Sequence, residues 1–203
     1  MQLPIIKIIG MLLALSACSV SPKSTLYLLK PIEPTQAKLT AQQPVSIYLQ
    51  PVTFPDYLDR PQMVLRKDAV TLARQEFHRW GEPLNMSFER VFKENIQMRL
   101  ASATVLSKKT FSTMAFDYQL ALEVIRFDTN AQQQAILQLH WTLLNGLGDK
   151  LLFASTETMT VPIAADNFHA RVEAQSEAIA ILADKVAIQI VRARMDKIAN
   201  KIK

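Results

Sequence analysis

Residues 118–159, YQLALEVIRFDTNAQQQAILQLHWTLLNGLGDKLLFASTETM, set the architecture. Tyr118, Leu120, Leu122 and Val124 alternate with Asp117, Gln119, Ala121 and Glu123, the period of a strand with one buried face. At Ile125 and Phe127 the apolar phase shifts, which predicts a bulge near Val124. Leu137, Leu139, Trp141 and Leu143 resume the alternation. Asn145-Gly146 with Gly148-Asp149 is a hairpin signal leading into Leu151, Phe153, Ser155, Glu157 and Met159. The expectation is a three-stranded antiparallel meander.

On its N-terminal side, Pro83 opens a run of Leu84, Phe88, Val91, Phe92, Ile96 and Leu100 at helical spacing, so an amphipathic helix is expected over about 83–101. Glu89, Arg90, Lys93, Glu94 and Arg99 occupy the other face, which is expected to be wet. On its C-terminal side, residues 166–200 read as one long helix with a stripe of Phe168, Val172, Ile179, Leu182, Val186 and Ile190. Ile181, Ile188, Met195 and Ile202 form a second stripe at intervals of seven. Two accounts fit the apolar belt between Ala178 and Val191: deep burial beneath the sheet, or contact with another subunit.

Pro22, Pro31, Pro34, Pro44, Pro51, Pro55 and Pro61 crowd the front third with fixed turns. Between them Thr25–Leu29 and Val45–Leu49 read as short strands, and QMVLRKDAVTLARQ, residues 62–75, as two more around Lys67-Asp68. The fold class expected is mixed α/β, a mainly antiparallel sheet with both helices packed on it.

The chain has 203 residues with 49% hydrophobic and 20% charged side chains, a composition that excludes a disordered or collagen-like protein. One cysteine excludes an internal disulfide and a Cys-rich metal cluster. Four glycines, at 10, 81, 146 and 148, leave no Gly-rich phosphate loop. The basic excess left after Lys7 is held by residues 192–203, where Arg192, Arg194, Lys197, Lys201 and Lys203 stand against Asp196. Cations there complement the helix dipole, and no basic stripe interleaved with aromatics exists to follow a nucleic acid.

Residues 1–18, MQLPIIKIIGMLLALSAC, have the layout of a secretory signal peptide, with an apolar run too short to span a bilayer. Leu15-Ser16-Ala17-Cys18 resembles a bacterial lipobox, in which cleavage precedes the cysteine and its thiol receives lipid. Several chains on one residue anchor far more firmly than one. The reading makes 1–17 a signal peptide, Cys18 the lipidation site and 18–203 a single periplasmic domain. The competing reading is a core thiol after an ordinary N-terminal strand. Ser19 stands where an inner-membrane retention signal usually places Asp, which points to the outer membrane.

No catalytic, metal or cofactor residue is assigned. His78, His140 and His169 lack metal-ligand spacing, and no G-x-S-x-G elbow occurs. Asp56 and Asp59 could form a carboxylate pair, but Arg60 is the more obvious partner for Asp59. Two segments stand out: Phe54-Pro55-Asp56-Tyr57-Leu58-Asp59-Arg60-Pro61-Gln62, and Phe77 to Leu84 with Arg79, Trp80 and Glu82. A rigid loop bearing aromatics is either a cover over its own core or a docking surface. For Trp80 a core-capping place before the helix is the simpler use.

The lipobox, the strand after it, the run at 55–62, Arg79-Trp80-Gly81-Glu82-Pro83-Leu84, Phe88, Val91, Asn95, the Tyr118–Phe127 strand and Trp141 together resemble the PqiC-like auxiliary lipoprotein family of ABC-type transport systems. Gly81 departs from the alanine common there. The resemblance implies a domain tethered to the outer membrane that works with a periplasm-spanning MCE-domain protein and an inner-membrane transport component in moving lipids and maintaining the envelope. Phe54, Asp56, Tyr57, Leu58, Asp59, Arg60, Arg79, Trp80 and Glu82 are the docking candidates. Phospholipid and a second copy of the chain are further partners under this reading; nucleic acid is not. The alternative is a carrier lipoprotein that shields an acyl chain in its own cavity, and an envelope hydrolase ranks last.

Overall fold

A computed structural model describes residues 22–39, 43–107 and 115–202, with side chains as far as residue 199. The signal segment, Cys18 and the side chain of Ile202 lie outside the described residues. In chain order come β1 (Thr25–Tyr27), β2 (Val45–Leu49), a 3-10 turn (Asp56–Leu58), β3 (Gln62–Arg66), β4 (Leu72–Trp80), α1 (Leu84–Arg99), β5 (Ala103–Leu106), β6 (Tyr118–Asn130), β7 (Gln134–Asn145), β8 (Leu151–Pro162) and α2 (Phe168–Ile202).

All eight strands join one sheet, with β6 at its centre. The meander is as expected: β6 pairs antiparallel with β7 and β7 with β8, over almost their full lengths. The register of β6 slips between Val124 and Arg126, where the apolar phase shifts in the sequence. On its other edge β6 receives two short partners in parallel, β2 at Tyr118–Leu120 and β3 at Thr129–Asn130. The second partner of β3 is β4, antiparallel, and β1 lies parallel to the end of β4. Thus the long pairings are antiparallel and the short ones parallel. β5, beside β2, went unnoticed in the sequence because four residues are too few to show a period.

Both helices cover one face of the sheet. Phe88, Phe92, Ile96 and Leu100 on the α1 side, Ile179, Leu182, Val186 and Ile190 on α2, and Phe127, Leu137, Leu139 and Trp141 on the sheet are all fully buried or nearly so. Each such side chain contributes about 1.5–3 kcal/mol on burial. Ala178, Ala183 and Ala187 are also buried, so most of the apolar belt on α2 is taken up by the sheet and by α1. What is left over is a thin outer line: Ile181 at 37%, Met195 at 64% and Ile198 at 43% exposure.

One expectation for α1 fails. Arg99 belongs by spacing to the wet face, yet it is buried. It pairs with Asp184 of α2 and donates to the Ala37 carbonyl and to Gln36 Oε1, so the connection after β1 and the second helix close over it. Asn95, one turn earlier, accepts the Ile32 amide at 2.9 Å through its Oδ1. These two side chains hold the 31–37 connection against the helices.

Candidate functional site

The loop between β2 and β3 is fixed at several points along its length. Thr53 bridges to Glu123 of β6: its amide donates to the Leu122 carbonyl at 3.1 Å, and its carbonyl accepts the Val124 amide at 2.8 Å. Pro55 enters the 3-10 turn extended, at φ −70° and ψ 142°, and the turn closes through the Leu58 amide donating to the Pro55 carbonyl at 2.9 Å. At the exit the Pro61 carbonyl accepts the Trp80 amide at 2.7 Å, which joins the loop to the end of β4. Proline at both ends restricts the backbone while the bonds fix its direction.

The side chains divide by direction. Leu58 and Trp80 are buried in the core, and Phe54 sets its ring edge against Phe88 at 5.3 Å between centroids. Tyr57 is half-buried, while Asp56, Asp59 and Arg60 are exposed. Neither Asp59 nor Arg60 forms the ion pair that their adjacency suggests. A cleft of about 140 Å³ opens beside the turn, lined by Val52, Phe54, Asp56, Leu58, Asp59, Leu84 and Asn85. So the loop covers the core with its apolar groups and presents two carboxylates and a guanidinium outward.

Beneath Tyr57 lies a group that sequence reading missed. Asp128 of β6 is completely buried, and it accepts from Arg66 Nε at 2.9 Å, Arg126 Nε at 2.8 Å and the Tyr57 hydroxyl at 3.3 Å. The Arg66 guanidinium also lies 5.8 Å from the centre of the Tyr57 ring. Burial, and then the negative charge of Asp128, push the Tyr57 hydroxyl above its ordinary range. Burial is the largest single influence on Arg66 and acts to lower it, but the bond to Asp128, the charge of that carboxylate and the Tyr57 hydroxyl together outweigh it and the group is raised. The available signal was a carboxylate directly after the phase shift at Phe127, flanked by Arg126 and matched by Arg66 on a neighbouring strand.

The other segment is tied to α1. Glu82 receives Arg90 Nη2 at 2.8 Å, and the same nitrogen donates to the Leu29 carbonyl at 3.2 Å. That bond holds the Glu82 carboxyl below its usual range against a weaker cost of burial. Arg79 is half-buried and donates from Nε to the Glu76 carbonyl at 3.0 Å. Hence Arg79 and Glu82 flank the buried Trp80 at the junction of β4 and α1, and the Trp80–Pro61 bond brings this junction next to the loop. Among the described residues no cluster of His, Cys, Asp and Glu is arranged to hold a metal ion, and no helix is long and apolar enough to cross a membrane.

Comparison with known proteins gives one family and a shared fold. The family model for the ABC-type transport auxiliary lipoprotein component matches residues 27–187. The crystal structure of an uncharacterised protein superposes with a TM-score of 0.65 at 18% identity, covering 76% of this chain and 99% of that one. A protein from Xanthomonas campestris superposes at 0.63 with 16% identity, covering 87% and 97% respectively. At these identities the two structures show the fold alone. No curated protein matches the sequence.

Proposed function

The chain belongs to the ABC-type transport auxiliary lipoprotein family, a membrane-anchored group of transport components, and from that premise we propose that it docks a periplasm-spanning MCE-domain partner at the outer membrane. In this reading Cys18 carries the lipid, and the protein hydrolyses nothing. It holds the distal end of a lipid conduit at its membrane, and an inner-membrane component completes the system. The docking face is the loop Phe54–Gln62 with the Arg79–Glu82 junction. Asp56, Asp59, Arg60, Arg79 and Glu82 make polar contacts, and Phe54, Tyr57, Leu58 and Trp80 hold them in place from beneath.

The filled core carries this choice over the carrier reading. A carrier needs a cavity shaped for an acyl chain, commonly several hundred Å³. Here the space between sheet and helices holds Phe88, Phe92, Phe127 and Trp141, each at most 1% exposed. The cleft of about 290 Å³ between the 32–36 connection and the helices is ringed by Glu33, Asn95, Arg99, Glu177 and Asp184, charged and polar groups that do not suit an acyl chain. The loop, by contrast, is held at both ends and carries charged side chains that have no ion-pair partner among the described residues, as a docking surface requires. Photocrosslinking in living cells from positions 59 and 60 tests the reading. Recovery of an MCE-domain protein is expected, and recovery of lipid with no protein partner would sink it. The outer stripe of α2 we assign to a second copy of the chain.

A further inference from the structure

β1 ends the sheet on one side, and beside it lie apolar groups that no described residue covers. Leu26 is 64% exposed, Leu28 55% and Phe77 of β4 46%. The parallel register puts them together: Leu26 lies beside Arg79, and Phe77 precedes Arg79 by two residues on the same side of its strand. Tyr27 and Trp80, paired in the same register, point the opposite way, with Trp80 in the core and Tyr27 against His78 and Phe168. Leu28 folds over Gly81, its Cδ2 3.2 Å from where a Cβ there would stand, and leaves its outer side to solvent. Lys23, two residues before β1, is exposed, and among the described residues Arg79 makes no bond to a carboxylate.

The length of chain before β1 identifies what covers this face. Cys18 precedes Thr25 by seven residues, a span of at most about 25 Å even when fully extended. A lipid on Cys18 therefore keeps β1 close to the bilayer surface in every orientation of the domain. From this we infer that Leu26, Leu28 and Phe77 rest in the surface of the leaflet that holds the anchor, as a second contact that fixes which way the domain faces. The inference depends on lipidation of Cys18 as proposed above. A few large apolar side chains with a cation nearby suit the boundary between headgroups and chains. With β1 held against the lipid, the domain cannot swing freely on its tether.

The test uses the full chain with its native lipidation. Once the Cys18 sulfur is in a thioether, a cysteine introduced at Leu28→Cys, Phe77→Cys or, as a control on exposed β8, Thr158→Cys is the sole free thiol. Each variant is labelled with bimane and reconstituted into phosphatidylethanolamine–phosphatidylglycerol vesicles with brominated acyl chains. Quenching at 28 and 77 is expected to exceed that at 158 at least twofold. Equal quenching at all three positions, in protein whose mass includes the diacylglyceryl group, overturns the inference while leaving the anchor intact. A mass without lipid removes the anchor reading and this inference with it. Blue-shifted emission at 28 and 77 in the soluble Cys18→Ala form that also carries Met195→Glu, which removes the α2 contact, would with a dimer mass place a second copy on the patch and also overturn it.

Discussion

The Tyr57 hydroxyl donates to Asp128 at 3.3 Å and so ties the proline-bounded loop to the central strand. The two residues are 71 positions apart, and the carboxylate between them and the arginines is shut off from water. Apolar burial of Leu58 sets how close the loop lies to the core. The Tyr57–Asp128 bond adds direction, because a charge-assisted hydrogen bond tolerates less tilt than an apolar contact.

Replacing Asp128 should therefore be costly. Asp128→Ala leaves Arg66 and Arg126 facing each other with side chains only 20% and 26% exposed, and it removes the acceptor for Tyr57. A loss of about 2–4 kcal/mol is expected in urea unfolding, since one partner of a largely buried charge cluster is missing. Tyr57→Phe removes the weakest of the three bonds and should cost about 1 kcal/mol. Equal costs for the two would show that the hydroxyl, and not the carboxylate, organises the cluster.

Glu82 gives an acid-range test. Its bond to Arg90, the larger influence, lowers its folded value from the ordinary 4.5. A depressed carboxylate stabilises the fold above its unfolded pKa and loses that contribution as pH falls through the folded one. Wild type should thus exceed Glu82→Gln in stability at neutral pH by under about 1 kcal/mol, the range of a part-exposed pair. The gap should begin to close below pH 4.5 and vanish on further acidification. Thermal melts of both proteins across this range would show it, and a gap that widens in acid would contradict the assignment.

What could be read from the sequence follows the length of each element. The meander and both helices repeat their period often enough to show, and even the bulge after Val124 leaves a trace in the phase of Ile125 and Phe127. The parallel pairings of β2, β3 and β1 involve two to four residues and depend on where chain segments far apart in sequence meet. Arg99 misled because helical spacing says which face it occupies, and not that Asp184 and the 36–37 backbone close over that face. At the candidate site the rigid loop was legible from its prolines. Its inward and outward division was not, since Leu58 and Asp59 are neighbours in sequence and opposite in burial.

Two glycines of the β7–β8 turn should respond differently to the same change. A Cβ on Gly148, at φ +79°, would stand 2.9 Å from the end of the Gln119 side chain, which can move aside. The cost of Gly148→Ala is then mainly conformational, about 1 kcal/mol. A Cβ on Gly146 would fall 1.8 Å from the Phe116 carbonyl oxygen, which is backbone and cannot yield without moving the start of β6. Gly146→Ala should lower the melting temperature more than Gly148→Ala, and the reverse order would mean that the 115–117 backbone lies elsewhere.

The outer stripe of α2 is the last surface with a stated partner. Sheet and α1 cover Ile179, Leu182, Val186 and Ile190, but leave Ile181, Met195 and Ile198 at 37%, 64% and 43% exposure along one line of the helix. Positions 181, 188 and 195 recur every seven residues, the spacing that lets two helices meet along a seam. Ile188, half-buried between the two exposed ends, would complete the contact. The soluble Cys18→Ala form should therefore sediment as more than a monomer at micromolar concentration. Met195→Glu, at the most exposed position, should return it to a monomer with an unchanged far-UV circular dichroism spectrum, because the side chain adds little to its own core. Sedimentation of the form with Met195 intact as monomer alone would leave the stripe without a second copy.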